Sequence, residues 1–119
     1  MYPFLQLFLS EFLGTFIFLG TIFSVVQQNT FGPVTPIAIG GGLITSIFLT
    51  GKVSGGHFNP AVTLMDFSAT KLGYWEGNAK TIPLVLLYWC AQLSAGQLGM
   101  FLFQQLLQKP HQEELPQSQ

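Results

Sequence analysis

Three long apolar stretches dominate the chain. Residues 4–26 are interrupted by one charge, Glu11; residues 36–53 carry only Lys52; residues 82–107 carry none. A membrane-spanning helix needs about 20 largely uncharged residues to cross about 30 Å of hydrocarbon, and each stretch is long enough. A water-soluble bundle would place polar residues on one face at a period near 3.6, and residues 12–26 and 83–89 show almost no such face. The pattern therefore predicts three transmembrane helices in an all-α membrane protein. The first stretch has no basic leader and exceeds a signal-peptide core, so it is expected to stay in the mature protein. Residues 27–33, with Gln27, Gln28, Asn29, Gly32 and Pro33, predict a short uncharged turn.

Composition agrees with a lipid solvent. The chain has 119 residues, 49% hydrophobic and 14% aromatic, and its 8% of charged residues cannot cover a soluble globule. The cations are Lys52, Lys71, Lys80 and Lys109, the anions Glu11, Asp66, Glu76, Glu113 and Glu114, for a net charge of -1. No basic face is available for nucleic acid. Lys52, Lys71 and Lys80 all fall between the second and third spans, and cationic loops are retained in the cytoplasm. That loop is expected inside, with the N-terminus also cytoplasmic and the far end outside; Lys109 pulls the other way. The single Cys90 excludes an internal disulfide or a multi-cysteine metal site and reads as a packing or lipid-facing residue. Residues 108–119 are polar and predict a mobile tail that builds no core. Residues 1–107 contain no internal repeat and read as one structural unit.

The stretch between the second and third spans is the informative one, because its apolar part covers only half a membrane. It opens Ser54-Gly55-Gly56-His57-Phe58-Asn59-Pro60 and continues Ala61-Val62-Thr63-Leu64-Met65. Asn is a favoured N-cap and Pro a favoured first helical residue, so a short helix is expected to begin at Asn59 or Pro60. A helix that starts inside a membrane aims free N–H donors and a partial positive charge at whatever precedes it. Irregular backbone at that depth is tolerated where it is buried in protein or lines a water-filled cavity. Residues 54–70 thus predict a re-entrant loop and half-helix.

The run Ser-Gly-Gly-His-Phe-Asn-Pro-Ala-Val-Thr at residues 54–63 resembles the first Asn-Pro-Ala signature of aquaporins and related solute channels. Glu11-Phe12-Leu13-Gly14-Thr15 is similar to that family's first-helix motif. Tyr88, Ala91, Gln92, Ala95, Gly96 and Gly99 are similar to its third-helix pattern. The resemblance covers about residues 8–105 and implies the N-terminal half of an aquaporin-like fold, three spans plus one half-helix. It implies that Asn59, followed by Pro60 and Ala61, offers its amide to the permeant in mid-pore, a group that bonds an oxygen without a charge to attract ions. The plainer role for Asn59 is a helix cap. Gly55, Gly56 and His57 are expected to run extended and present pore carbonyls, against a simple tight turn; His57 could instead titrate as a gate. A carboxylate within a span is costly unless partnered, so Glu11 should face the bundle interior. In the family the matching Glu accepts hydrogen bonds from the loop, and Gln92 is placed to hold the same loop; the other role for Glu11 is to carry protons or cations. Small residues four apart, Ser10 and Gly14, Gly42 and Ser46, and Ala91, Ala95 and Gly99, predict close helix packing.

The sequence also departs from the family pattern. Members have two inverted halves and two signature motifs, whereas this chain has one; it has no arginine, the residue the family uses in its narrow filter. The second-span filter position falls on Ile39, an aliphatic residue that hints at a wider filter and leaves water, glycerol and ammonia open. The expected function is a passive channel, or half-channel, for water or small neutral solutes. Its expected partners are membrane lipid, the permeant, and a complementary half or full-length channel subunits, which form tetramers in the family. The alternative is a truncated, non-conducting membrane protein that binds full-length channels and alters their assembly. No cluster of base, nucleophile and orienting group and no metal-ligand spacing appears, so neither an enzyme nor a cofactor is expected.

Overall fold

A computed structural model describes residues 3–70 and 81–107. The expected mobile tail and the lysines Lys71, Lys80 and Lys109 used for the orientation argument lie outside the described residues. Helix α1 covers Pro3–Gln28, α2 Thr35–Ser54, α3 Pro60–Thr70 and α4 Thr81–Leu107, with one 3-10 turn at Gly32–Val34 between α1 and α2. At 1.5 Å per residue α1, α2 and α4 are each roughly 30–40 Å long, enough to span, while α3 reaches about 16 Å, half the hydrocarbon depth. The turn before α2 is closed by Thr35 Oγ1, which donates to Gly32 O at 2.7 Å, and by Val34 N–H, which donates to Phe31 O at 3.1 Å.

Helix α1 lies between α2 and α4 and packs along both, and α3 rests on α4. The interior inverts the habit of water-soluble proteins. Buried side chains include Ser10, Glu11, Thr15, Ser46, Thr50, Ser54, Thr63 and Gln92, whereas Phe48 is 81% and Ile37 74% exposed. In lipid nothing drives apolar side chains inward, so contacts form where small residues let backbones approach and where polar groups need partners. The predicted small-residue series, Ser10 with Gly14, Gly42 with Ser46, and Ala91, Ala95 with Gly99, are all buried. Gly42 shows why: a Cβ there would sit 2.7 Å from the Thr21 side chain of α1. On the α4 side, Phe16 and Phe23 of α1 pack against Phe103 at ring separations of 5.3 and 6.0 Å, the first pair tilted and the second stacked.

Candidate functional site

The loop from Ser54 to Asn59 turns back sharply rather than running extended. Gly55 ends α2 with φ +98° and donates its N–H to Gly51 O at 2.8 Å; Gly56 follows at φ +70°. Those left-handed values suit glycine alone, and they correct the extended path expected for this pair. The chain must reverse at once because its next two amides are drawn toward α1. Phe58 also has a positive φ, +50°, which for a residue with a side chain costs about 1–3 kcal/mol. Its ring, 3% exposed, fills the space left by Gly14, where an added Cβ would meet Phe58 Cε1 at 2.0 Å.

The partner that holds this strained loop is Glu11, whose side chain is wholly buried. Oε1 accepts from Ser54 Oγ at 2.6 Å and from His57 N–H at 2.9 Å. Oε2 accepts from Phe58 N–H at 2.8 Å and from Gln92 Nε2 at 2.9 Å. Each oxygen therefore takes two donors, and hydrogen bonds to a charged acceptor are among the stronger ones. Gln92 spends its second N–H on Thr63 Oγ1 at 2.8 Å, which ties α4 to α3. Its Oε1 is buried with no hydrogen-bond partner among the described residues.

Asn59 caps the half-helix. Its Oδ1 accepts from Ala61 N–H at 2.8 Å, its backbone O accepts from Thr63 N–H at 3.0 Å, and Pro60 occupies the first helical position. Asn59 itself is exposed. Because the cap uses the oxygen, the network assigns the NH₂ to the open side, beside the positive end of α3. Pro60 O accepts from Trp89 Nε1 at 3.1 Å, which anchors the first turn of the half-helix on α4.

His57 turns its ring into the protein. Nδ1 lies 3.1 Å from Thr63 Oγ1, Nε2 lies 3.5 Å from Asp66 Oδ2, and the ring packs 5.0 Å from that of Tyr88 and 5.9 Å from that of Phe67. Tyr88 in turn donates its hydroxyl to Ser54 O at 2.6 Å, so the last turn of α2 is held from α4 as well.

This arrangement lies within a region that matches known proteins. Residues 1–118 match the family model described as Major intrinsic protein. The chain belongs to the major intrinsic protein family. Among curated members, nodulin-26 of Glycine max is 43% identical over 75 residues, 58% of this chain and 27% of that protein. Aquaporin-8 of Rattus norvegicus is 38% identical over 96 residues, 77% of this chain and 33% of its own length. Glycerol uptake facilitator protein-like 6 of Lactiplantibacillus plantarum is 47% identical over 60 residues, 47% of this chain and 26% of that protein. The chain thus spans less than half the length of these major intrinsic proteins. No solved structure matches it. Family membership and the three membrane-length helices make it an integral membrane protein.

Of the residues singled out from the sequence, Glu11, Gln92, Gly55, Gly56, His57, Asn59, Pro60 and Ala61 form one connected site. Ile39 does not join it: it sits near the start of α2, about 22 Å along the helix axis from Ser54. Cys90 is exposed on α4. Sequence reasoning left Ser54, Phe58, Thr63, Asp66 and Trp89 without roles, and quoted Tyr88 only as part of a pattern. Ser54 and Thr63 carried a faint signal, as polar residues bracketing a loop that must bury its backbone.

Proposed function

We propose that this chain supplies one half of a passive transmembrane pore for water or small neutral solutes such as glycerol. The observation that carries the reading is the exposed Asn59 at the tip of a half-depth helix, its Oδ1 taken by the cap, on a loop that a buried carboxylate pins from behind. Such a tip donates hydrogen bonds to an oxygen, while the positive end of the helix disfavours cations. Gly55, Gly56 and His57 act as the carbonyl acceptors along the approach, and Glu11 and Gln92 support the loop without touching the permeant. Ile39 serves as an aliphatic filter residue at the other end of α2. The N-terminus lies in the cytoplasm, and nodulin-26, aquaporin-8 and the glycerol facilitator-like relative support the solute class. Conduction makes and breaks no covalent bond. The pore is completed by a complementary half, from a second polypeptide or a full-length subunit, within a tetramer.

The test is a chimera in which residues 1–107 replace the aligned region of rat aquaporin-8, reconstituted in liposomes and assayed by stopped-flow shrinkage. The parent chimera shrinks faster than bare lipid. Asn59→Trp abolishes the flux, and Asn59→Asp, which caps a helix as well as Asn but lacks the NH₂, lowers it with helicity unchanged. Equal permeability in the parent and Asn59→Trp chimeras would refute the reading. If the unmodified chain instead co-purifies with full-length aquaporin-8 and changes its amount in the membrane while the chimeras conduct nothing, the chain is a non-conducting binding partner.

A further inference from the structure

The polar groups behind the loop form a continuous series that the pore reading does not use at its far end. From Glu11 it runs through Gln92 Nε2 to Thr63 Oγ1, from Thr63 to His57 Nδ1 at 3.1 Å, and from His57 Nε2 to Asp66 at 3.5 Å. Donor and acceptor roles run in one direction along it. Gln92 can only donate through Nε2, so Thr63 Oγ1 accepts from it and retains its own hydrogen to give. The nearest remaining acceptor facing that hydroxyl is His57 Nδ1. The other ring nitrogen then carries the hydrogen and faces a carboxylate, whereas a bare lone pair on Nε2 would face it unfavourably. The ring is 9% exposed and so largely shielded, while the Asp66 side chain, 35% exposed, keeps contact with the surroundings. Phe67, 2% exposed, and Tyr88, 3% exposed, wall the ring in.

From this geometry we propose that Asp66 is a positioning residue: it holds the His57 ring as the neutral Nε2–H tautomer, turned away from the exposed side of Asn59. Held among Thr63, Phe67 and Tyr88, the ring adds an anchor to a backbone that Glu11 already holds at His57 and Phe58. The part concerning flux rests on the pore reading above; the part concerning the ring does not. Which nitrogen of a histidine carries the proton is set by what the other nitrogen meets, and here Thr63 and Asp66 specify the same answer. A carboxylate on a half-helix in the membrane is costly, and this role accounts for its presence.

The experiment uses the full chain in phosphatidylcholine bilayers at neutral pH with ¹⁵N-labelled histidine, the His57 signals being assigned with His111→Gln. The parent shows a protonated Nε2, a bare Nδ1 and a ¹³C–¹⁵N dipolar coupling between Asp66 Cγ and His57 Nε2. Asp66→Leu gives a mixture of tautomers, and Asp66→Asn, whose amide oxygen can face Nε2–H, restores the parent pattern. A parent ring protonated on Nδ1, an absent coupling, or an Asp66→Leu chain of parent helicity with an unchanged ring would each overturn the proposal. In the aquaporin-8 chimera, Asp66→Leu lowers water flux and Asp66→Asn recovers it. A conducting chimera whose flux ignores Asp66→Leu while the ring changes would overturn the link to the loop. A chimera that never conducts, with the ring as expected, sinks the pore reading and leaves the tautomer assignment standing.

Discussion

Replacing Glu11 with glutamine keeps the shape of the side chain and changes what it can accept. A Gln oxygen placed at the Oε1 position still accepts from Ser54 Oγ and His57 N–H. The new NH₂ at the Oε2 position then faces two donors, Phe58 N–H and Gln92 Nε2. Gln92 has only a partial remedy: flipping its amide turns the partnerless Oε1 toward the new NH₂ and lets Thr63 donate to it, but moves its own NH₂ to a buried place with no acceptor among the described residues. Phe58 has none, because its backbone N–H cannot turn. One buried unsatisfied donor costs about 1–3 kcal/mol. Glu11→Ala strands both backbone amides and costs about 2–6 kcal/mol before the cavity it leaves is counted. The assay is amide hydrogen exchange in lipid nanodiscs, where each 1.4 kcal/mol of lost protection is tenfold in rate. In Glu11→Gln the Phe58 amide exchanges roughly five- to a hundredfold faster while the His57 amide keeps its parent rate. In Glu11→Ala both accelerate. A Phe58 amide indifferent to Glu11→Gln, or a His57 amide equally fast in both variants, would show that the carboxylate does not hold the loop as described.

The remaining predictions concern packing and the α4 tether. Gly14→Ala drives a methyl into the Phe58 ring and to 2.6 Å from Thr50 Oγ1, and should lower stability by about 1–3 kcal/mol in a detergent unfolding titration. Gly40→Ala is the matched control: nothing lies within 4 Å of its Cβ position, and its stability should equal or slightly exceed the parent's. Tyr88→Phe removes the hydroxyl that donates to Ser54 O and should cost about 0.5–1.5 kcal/mol in the same titration, with helicity unchanged.

The spans were legible because lipid rewards uniform apolarity, and residues 4–26, 36–53 and 82–107 show it without ambiguity. The start of the half-helix was legible for a local reason, since Asn59 and Pro60 are a cap and a first residue in sequence as in space. The meeting of Glu11 with Gln92 was reachable only through resemblance: 81 residues separate them, and no periodicity records such a pairing. The reversal at Gly55 and Gly56 was misread as an extended path because glycine permits both. The choice is made by the His57 and Phe58 amides and the Ser54 hydroxyl, which converge on one carboxylate 43 to 47 residues away. Phe58 in a left-handed conformation carries no sequence signal at all, being imposed by Gly14 and Glu11 from another helix. The same holds for Asp66, whose spacing from His57 means nothing until α3 has been capped and turned.

The supports of the half-helix also impose a timetable on biogenesis. Pro60 and Thr63 find their partners in Trp89 and Gln92, each 29 residues later, and Ser54 O finds Tyr88 34 residues later. When α1 and α2 enter the bilayer as a hairpin, Glu11 can already gather Ser54, His57 and Phe58, but α3 has no wall to lean on. It is too short to cross and must wait at the headgroup level until α4 has left the ribosome. These separations predict that re-entry comes late in maturation: a ribosome stalled before residue 88 should leave the signature motif on the surface of the membrane rather than within it.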